Sequence, residues 1–246
     1  MGLELRRLTE TNFDDFCRLT KDEGDEGILG CYCAFFHVSP AVWEEQCQKD
    51  PFLNREVVLQ AILARRHVGV LAYGEGHPLA WVSVGPLDDF LWGRPRAQAL
   101  GTDAASTAGI LCFAVAPERR RSGMQGRLLA ALVDYGRRQD WESLEGYPFD
   151  PKACEAHPRD KVGYPGFVKP FEEQGFKRVG PHWNSRPGYE RWIYRRPLRT
   201  SPRGDHGPEI AVLDRRPSTA TVVADHGIIL TICSLRRGQA WALSTG

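Results

Sequence analysis

At 246 residues, with 42% hydrophobic and 26% charged content, the chain can bury one substantial core. Lys and Arg number 32 against 31 Asp and Glu, a formal net charge of +1, so nothing global calls for a nucleic acid or an anionic membrane as partner. No apolar run approaches the ~18 residues of a membrane span, and Met1-Gly-Leu-Glu-Leu-Arg-Arg7 lacks the apolar centre of a secretory signal, which points to a cytoplasmic protein.

Leu3 to Leu8 alternates apolar and charged residues, as a half-buried first strand does. Thr11 or Asn12 then caps a helix whose Phe13, Phe16, Cys17 and Leu19 recur at helical spacing. Ser39-Pro40 signals a second helix start, and Asn54 to Arg66 reads as a third helix. Gly69 to Tyr73 and Leu79 to Val84 are strand-forming runs around the turn composition Gly74-Glu-Gly-His-Pro78, which predicts a hairpin. Asp88 to Ala108 has no clear period and is expected to be a loop beside a substrate cleft.

Gly109 to Val115 is a buried strand by its unbroken apolar composition, and Gln125 to Arg138 is an amphipathic helix with Leu128, Leu132 and Tyr135 on one side. Ser143 to Phe149 reads as another buried strand, and Asp150 to Gly163 as a long charged loop. Gly166 to Gln174 is a short helix closed by Gly175, and Phe176 to Val179 pairs with Tyr189 to Tyr194. Composition shifts at Arg195-Arg-Pro-Leu-Arg-Thr-Ser-Pro-Arg-Gly-Asp-His-Gly207, so a domain over residues 1–198 precedes a loosely structured or disordered tail over 199–246. Within that tail Ile210 to Leu213, Thr221 to Val223 and Ile228 to Ile232 have the composition of short strands.

Seven cysteines, at 17, 31, 33, 47, 112, 154 and 233, lack the paired Cys-x-x-Cys spacing of structural zinc, so no metal is expected. Cys31-x-Cys33 with Cys47 has the makings of a metal or redox group, but small core residues are the better reading. Cys112, inside a buried strand without an adjacent histidine, is read as packing rather than as a nucleophile.

The chemical signal lies where strand 109–115 runs through Val115-Ala-Pro-Glu-Arg-Arg-Arg-Ser-Gly-Met-Gln-Gly-Arg-Leu-Leu129 into the helix. Turn amides and the first helical N–H groups have no intrahelical partners, and the aligned peptide dipoles favour negative charge there. Gly123 lets a ligand reach the backbone, and Arg120 and Arg121 add permanent charge. With neither Gly-Lys-Ser/Thr nor Gly-x-Gly-x-x-Gly present, nucleotide-triphosphate and dinucleotide loops are excluded. A diphosphate cradle and a basic surface turn both fit these residues alone.

The order Val115, Pro117, Arg120, Gly123, Leu128, Leu129 resembles the acyl-CoA-binding motif of the GCN5-related N-acetyltransferases (GNAT). Gln125 departs from it, since that family usually has Gly or Ala there. Leu144 to Asp150 and Pro165 to Phe176 resemble the fifth strand and next helix of the fold, and Gly30 to Phe36 with Val70 to Val84 resemble a bacterial subgroup. The likeness spans roughly residues 3 to 197. It implies an α/β fold of GNAT type, with a mixed, mostly antiparallel central sheet flanked by helices and splayed middle strands. It also implies an acyltransferase moving an acetyl group from acetyl-CoA to the primary amine of a small molecule by direct attack.

On that resemblance the diphosphate and pantetheine meet Phe113, Ala114, Val115, Arg120, Arg121, Ser122, Gly123, Met124, Gln125, Gly126 and Arg127. Period-2 alternation puts Glu145 and Tyr147 on one strand face, so Glu145 is a candidate base and Tyr147 a candidate positioning group; a structural carboxylate satisfied by Arg is the equal alternative. The family's usual tyrosine acid aligns with Phe171, which leaves Tyr164 or solvent to protonate the thiolate. His37 is a weaker candidate base, and Trp43, Trp81 and Trp92 either shape an acceptor pocket or fill the core. A homodimer is compatible with the family. A catalytically degenerate acyl-CoA-binding module remains the alternative, and nucleic-acid binding through Arg119 to Arg121 and 195–203 is weak for want of interleaved aromatics.

Overall fold

The centre of the computed structural model is a pair of parallel strands, β4 (Thr107–Val115) and β5 (Ser143–Gly146), joined by the helix α5 (Met124–Arg138). Parallel neighbours need a long crossover, and an amphipathic helix is the element that buries itself on the sheet while making one. Structure is described for residues 2–21, 30–50, 52–150, 164–185 and 190–199, with backbone alone at 222–223 and 229–230.

Around that pair the described strands form a seven-stranded sheet in the order β1-β2-β3-β4-β5-β7-β6, antiparallel at every other junction. The remaining strands are β1 (Glu4–Arg7), β2 (Val70–Gly74), β3 (His77–Pro86), β6 (Lys177–Pro181) and β7 (Trp192–Pro197). The expected β2–β3 hairpin turns on Glu75 and Gly76, at φ 53° and 81°, a left-handed pair within the stretch of turn composition. Helices are α1 (Phe13–Lys21), α2 (Pro40–Lys49), α3 (Phe52–Leu63), α4 (Gly93–Ala99) and α6 (Val168–Glu173).

Two apolar layers cover the sheet. Leu128, Leu129, Leu132 and Val133 of α5, with Phe171 of α6, pack on Val82, Ala108, Ile110 and Leu144. On the other face Phe13 and Phe16 of α1 and Val58 and Ala61 of α3 pack on Leu71, Trp81, Cys112 and Ala114. With both faces buried, β4 has no solvated side, which is why its sequence runs apolar instead of alternating.

Capping agrees with the sequence at two helices: the Ser39 hydroxyl accepts from Val42 N at 3.4 Å, and Gly175, at φ 76°, closes α6. Three expectations need correction. The segment Asp88 to Ala108 contains α4. The third helix stops at Leu63, and Arg65 turns left-handed (φ 62°). The strand expected over 143–149 pairs only as far as Gly146.

The chain divides into Met1–Thr200 and Ser201–Gly246. In the second unit β8 (Val222–Val223) pairs antiparallel with β9 (Ile229–Leu230). Residues 151–163 of the loop expected from Asp150 to Gly163, with Cys154, Cys233 and the rest of the 201–246 segment, lie outside the described residues.

Phe171 is fully buried and a Cβ on Gly146 would stand 2.1 Å from its ring, so the two residues are fitted to one another. Phe171→Ala is expected to cost about 3–5 kcal/mol by urea denaturation; a loss under about 1 kcal/mol contradicts this packing.

Candidate active site

The ladder between β4 and β5 starts at Thr107↔Ser143 and ends at Ile110↔Gly146. It ends there because β4 carries an extra residue: Ser83 faces Cys112 and Val84 faces Ile110, which leaves Leu111 bulged out. Beyond the bulge the strands diverge, and the segment Tyr164–Phe167 lies between them. Phe113 N–H donates to the Tyr164 carbonyl at 2.6 Å, and on the far side Phe149 N–H donates to the Gly166 carbonyl at 2.8 Å. Gln125 fastens that segment with both ends of its amide, accepting from Phe167 N at 3.1 Å and donating to Phe167 O at 3.3 Å.

At the mouth of this wedge stands the arginine-rich turn. Gly123 is the N-cap of α5 at φ 73°, a conformation in which a side chain is strained. The first amide bonded back to it is Arg127 N, 3.3 Å from the Gly123 carbonyl, so the amides of Met124, Gln125 and Gly126 have no acceptor in the helix. A Cβ at Gly123 or Gly126 would meet only open space, so room for a ligand adjoins these amides. Two side chains brace the turn: Arg120 Nε donates to Val115 O at 3.0 Å, and Ser122 Oγ to Arg119 O at 2.6 Å. Arg121, at φ 58°, and Arg127 are exposed. A hollow of about 320 Å³ on the hairpin side is lined by Gly74, Glu75, Leu79, Arg119, Met124 and Arg127.

On the opposite face of β5 the structure brings Glu145 and Tyr147 together, as alternation required. Tyr147 Oη donates to Glu145 Oε1 at 2.7 Å, while Arg195 Nε and Nη2 reach Oε2 at 3.1 and 2.6 Å. Glu145 has no exposure, so its carboxylate is held on both oxygens inside the protein. Burial first, and then the Glu145 charge, pushes the Tyr147 hydroxyl well above its ordinary value, so it stays a neutral phenol.

Tyr147 belongs to a cluster with Phe90, Leu111 and Ile193, against which Phe36, Leu100 and Val179 pack. Its ring lies 5.1 Å from that of Trp183 and 5.9 Å from that of His182, both on the β6–β7 connection. Arg191 Nη2 donates to the Tyr147 carbonyl at 2.8 Å. Arg195, Trp183, His182 and Arg191 escaped sequence reading because each arrives from across the sheet or from a loop.

The other candidates separate cleanly. Trp81 is core, donating to Cys33 Sγ at 3.3 Å, and Trp43 packs on Phe35, whereas Trp92 is 38% exposed. Cys112 is buried, and burial pushes the Cys31 thiol up to about 12, which makes it a poor nucleophile. Among the described residues no His, Cys, Asp and Glu cluster is fit to hold a metal, and no helix is long and apolar enough to cross a membrane. His37 lies 5.3 Å from the Phe90 ring, and burial with the Arg66 charge depresses its imidazole to about 4. Tyr164 is 36% exposed, its ring 6.3 Å from Phe149.

A profile described as the acetyltransferase (GNAT) family matches residues 17–159, a span holding the bulged strand, the turn and α5. The chain belongs to the GNAT family. No curated protein matches it. Among solved structures, aminoglycoside acetyltransferase AAC(6')-Ib in complex with coenzyme A is 16% identical at a TM-score of 0.50, covering 80% of this chain and 95% of its own. The same figures hold for that enzyme with coenzyme A and kanamycin. PaiA N-acetyltransferase from Thermoplasma acidophilum, in complex with coenzyme A, is 12% identical at 0.44, covering 80% of this chain and 99% of its own. The likeness to the aminoglycoside enzyme shows a shared fold, and membership of the acetyltransferase (GNAT) family rests on the profile match over residues 17–159.

Buried histidines make the fold acid-sensitive. Burial holds His67 at about 4, between Val84 O and Tyr135 Oη, and His182 at about 3, with Asn184 N–H donating to its Nδ1. Both folded values lie below the unfolded 6.5, so stability is full above pH 6.5 and falls as the unfolded chain takes up protons below it. Each ring is expected to cost about 2 kcal/mol by pH 5. Denaturation midpoints from pH 7.5 to 5 check this, and a flat profile contradicts it.

Proposed function

We propose that this protein is an N-acetyltransferase that moves the acetyl group of acetyl-CoA to the primary amine of a small molecule by direct attack. The observation that carries the reading is the turn at Gly123: partnerless amides at the start of α5, a left-handed glycine cap and open space beside it match the needs of a diphosphate. Arg120, Arg121, Ser122, Gly123, Met124, Gly126 and Arg127 would hold the diphosphate. Phe113, Ala114 and Val115, along the divergent edge of β4, would pair with the pantetheine arm. Coenzyme A bound to AAC(6')-Ib supports the same donor here.

The donor arm and the Tyr164 carbonyl compete for the Phe113 amide, so Tyr164–Phe167 moves aside when acetyl-CoA binds. Gln125, where other members carry Gly or Ala, is then the clasp that the donor opens. Gln125→Ala removes two hydrogen bonds and is expected to tighten acetyl-CoA binding by roughly 3- to 10-fold in calorimetry; unchanged or weaker binding argues against the clasp.

For the acceptor, an alkyl ammonium near pKa ~10.4 has no lone pair to offer until it loses a proton. As the free amine attacks the thioester carbon, its N–H passes to Tyr147 Oη, and the Tyr147 proton passes to Glu145 Oε1. The phenol is thus never left as a buried phenolate. Arg195 keeps Glu145 in place by holding Oε2. The carbon–sulfur bond breaks, and Tyr164 or water protonates the departing thiolate. The products are an acetamide and free CoA thiol.

A second reading, an acyl-CoA-binding module without turnover, draws on the Phe113–Tyr164 bond that fills the wedge. Thiol release over an amine panel, paired with acetyl-CoA calorimetry, separates the two: binding with no release from any amine favours the module. For the enzyme, Glu145→Gln and Tyr147→Phe are each expected to lower kcat by roughly 10²- to 10⁴-fold with little change in acetyl-CoA binding. Unaltered turnover in both variants would remove the relay.

A further inference from the structure

α4 carries two arginines two residues apart with different surroundings. Arg94 is exposed and its guanidinium is paired with the Asp88 carboxylate, Nη2 to Oδ2 at 2.9 Å and Nε to Oδ1 at 3.2 Å. Arg96 is half-buried and, among the described residues, its guanidinium makes no hydrogen bond and no ion pair. Its Cζ lies 3.5 Å from the centroid of the Trp183 ring.

That stacking satisfies the face of the guanidinium and leaves its in-plane N–H groups unused. A cation half withdrawn from water with its donors unspent is costly unless something anionic completes it. The groups around it offer nothing. Glu145 is committed to Arg195 and Tyr147, and Asp88 to Arg94. His182, 3.7 Å from the Trp183 ring, is held neutral by burial. The Trp183 ring that carries Arg96 is also the neighbour of Tyr147, at 5.1 Å, so the unpaired cation stands beside the proposed reacting centre.

We infer that Arg96 is the specificity determinant for an acceptor that bears a carboxylate as well as its amine. The planar fork of a guanidinium fits a carboxylate through two parallel hydrogen bonds, and Trp183 holds the fork flat for that contact. The inference rests on the acetyltransferase reading, since it takes the Tyr147 side of β5 as the acceptor side.

The test uses the full chain and a series of amino acids, each compared with its own carboxamide, so that amine and side chain stay constant. In the parent protein kcat/KM by thiol release is expected to favour the carboxylates, and Arg96→Gln to lower the carboxylate-to-carboxamide ratio roughly 10- to 100-fold. Arg96→Lys restores charge without the fork and is expected to recover only part of that ratio. A ratio unmoved by Arg96→Gln, or a parent that prefers carboxamides, overturns the inference. Calorimetric binding of the same pairs in the presence of CoA is read alongside. If no amine releases thiol, the transferase reading fails, and these titrations still decide the carboxylate site: Arg96-dependent preference for the acid supports it, and equal binding of acid and amide overturns it.

Discussion

The proposed chemistry depends on a ladder that stops. Within a sheet, the amide and carbonyl groups of two neighbouring strands are each other's partners, and leaving them orphaned in the interior is expensive. The extra residue at Leu111 ends the β4–β5 pairing at Ile110 and Gly146 and frees backbone groups at the middle of the sheet. Here Tyr164–Phe167 takes them up, with Phe113 N–H on the Tyr164 carbonyl, Phe149 N–H on that of Gly166 and Val168 N–H on that of Phe149. A ligand that enters the wedge has to return comparable hydrogen bonds. A pantetheine arm, with its two amides, is chemically suited to that exchange in a way that an apolar chain is not.

The buried carboxylate obeys a similar logic. A carboxylate sealed inside a protein gains little from a partly buried arginine over apolar residues of the same shape, because its desolvation offsets the attraction. Glu145 therefore makes poor sense as a device for stability alone. Its geometry makes better sense as orientation: Arg195 holds one oxygen, which leaves the other to fix the Tyr147 hydroxyl at 2.7 Å. A carboxylate satisfied by arginine, one of the two sequence readings of Glu145, matches the Arg195 contact; the base role belongs to the proposed relay, with Tyr147 between the carboxylate and the proposed acceptor side.

Legibility from sequence followed the range of the interactions. The strand Gly109–Val115, the turn and α5 could be read because burial on both faces, a glycine at a left-handed cap and helical periodicity are all local signals. The pairing of Tyr147 with Glu145 was legible for the same reason, as strand alternation is a two-residue rule. The bulge was not, because it is a property of the register between β3 and β4 and has no mark in either strand. Arg195 lies fifty residues from Glu145 and is brought to it by the β5–β7 register, Glu145↔Arg195. The helix α4 was missed since Gly93-Arg-Pro-Arg-Ala-Gln-Ala99 holds Gly and Pro within seven residues, and its stability comes from burying Gly93 and Ala97 against the Leu87 turn and not from its own propensity.

Gln125 joins the local and the long-range halves of the site. As a sequence feature it is a departure from the family motif, tolerable because a helix-start amide can face a ligand while its side chain points elsewhere. In the folded protein that side chain has a definite partner, the peptide of Phe167, forty-two residues on. The residue's backbone thus belongs to the proposed diphosphate cradle and its side chain holds the segment that fills the wedge. On the proposed reading one position couples the two ends of the donor groove: a phosphate group drawn to the α5 amides would act on the same residue that holds Tyr164–Phe167 over Phe113. A glycine or alanine there would keep the cradle and sever the coupling, so the departure adds a connection without removing the anion site.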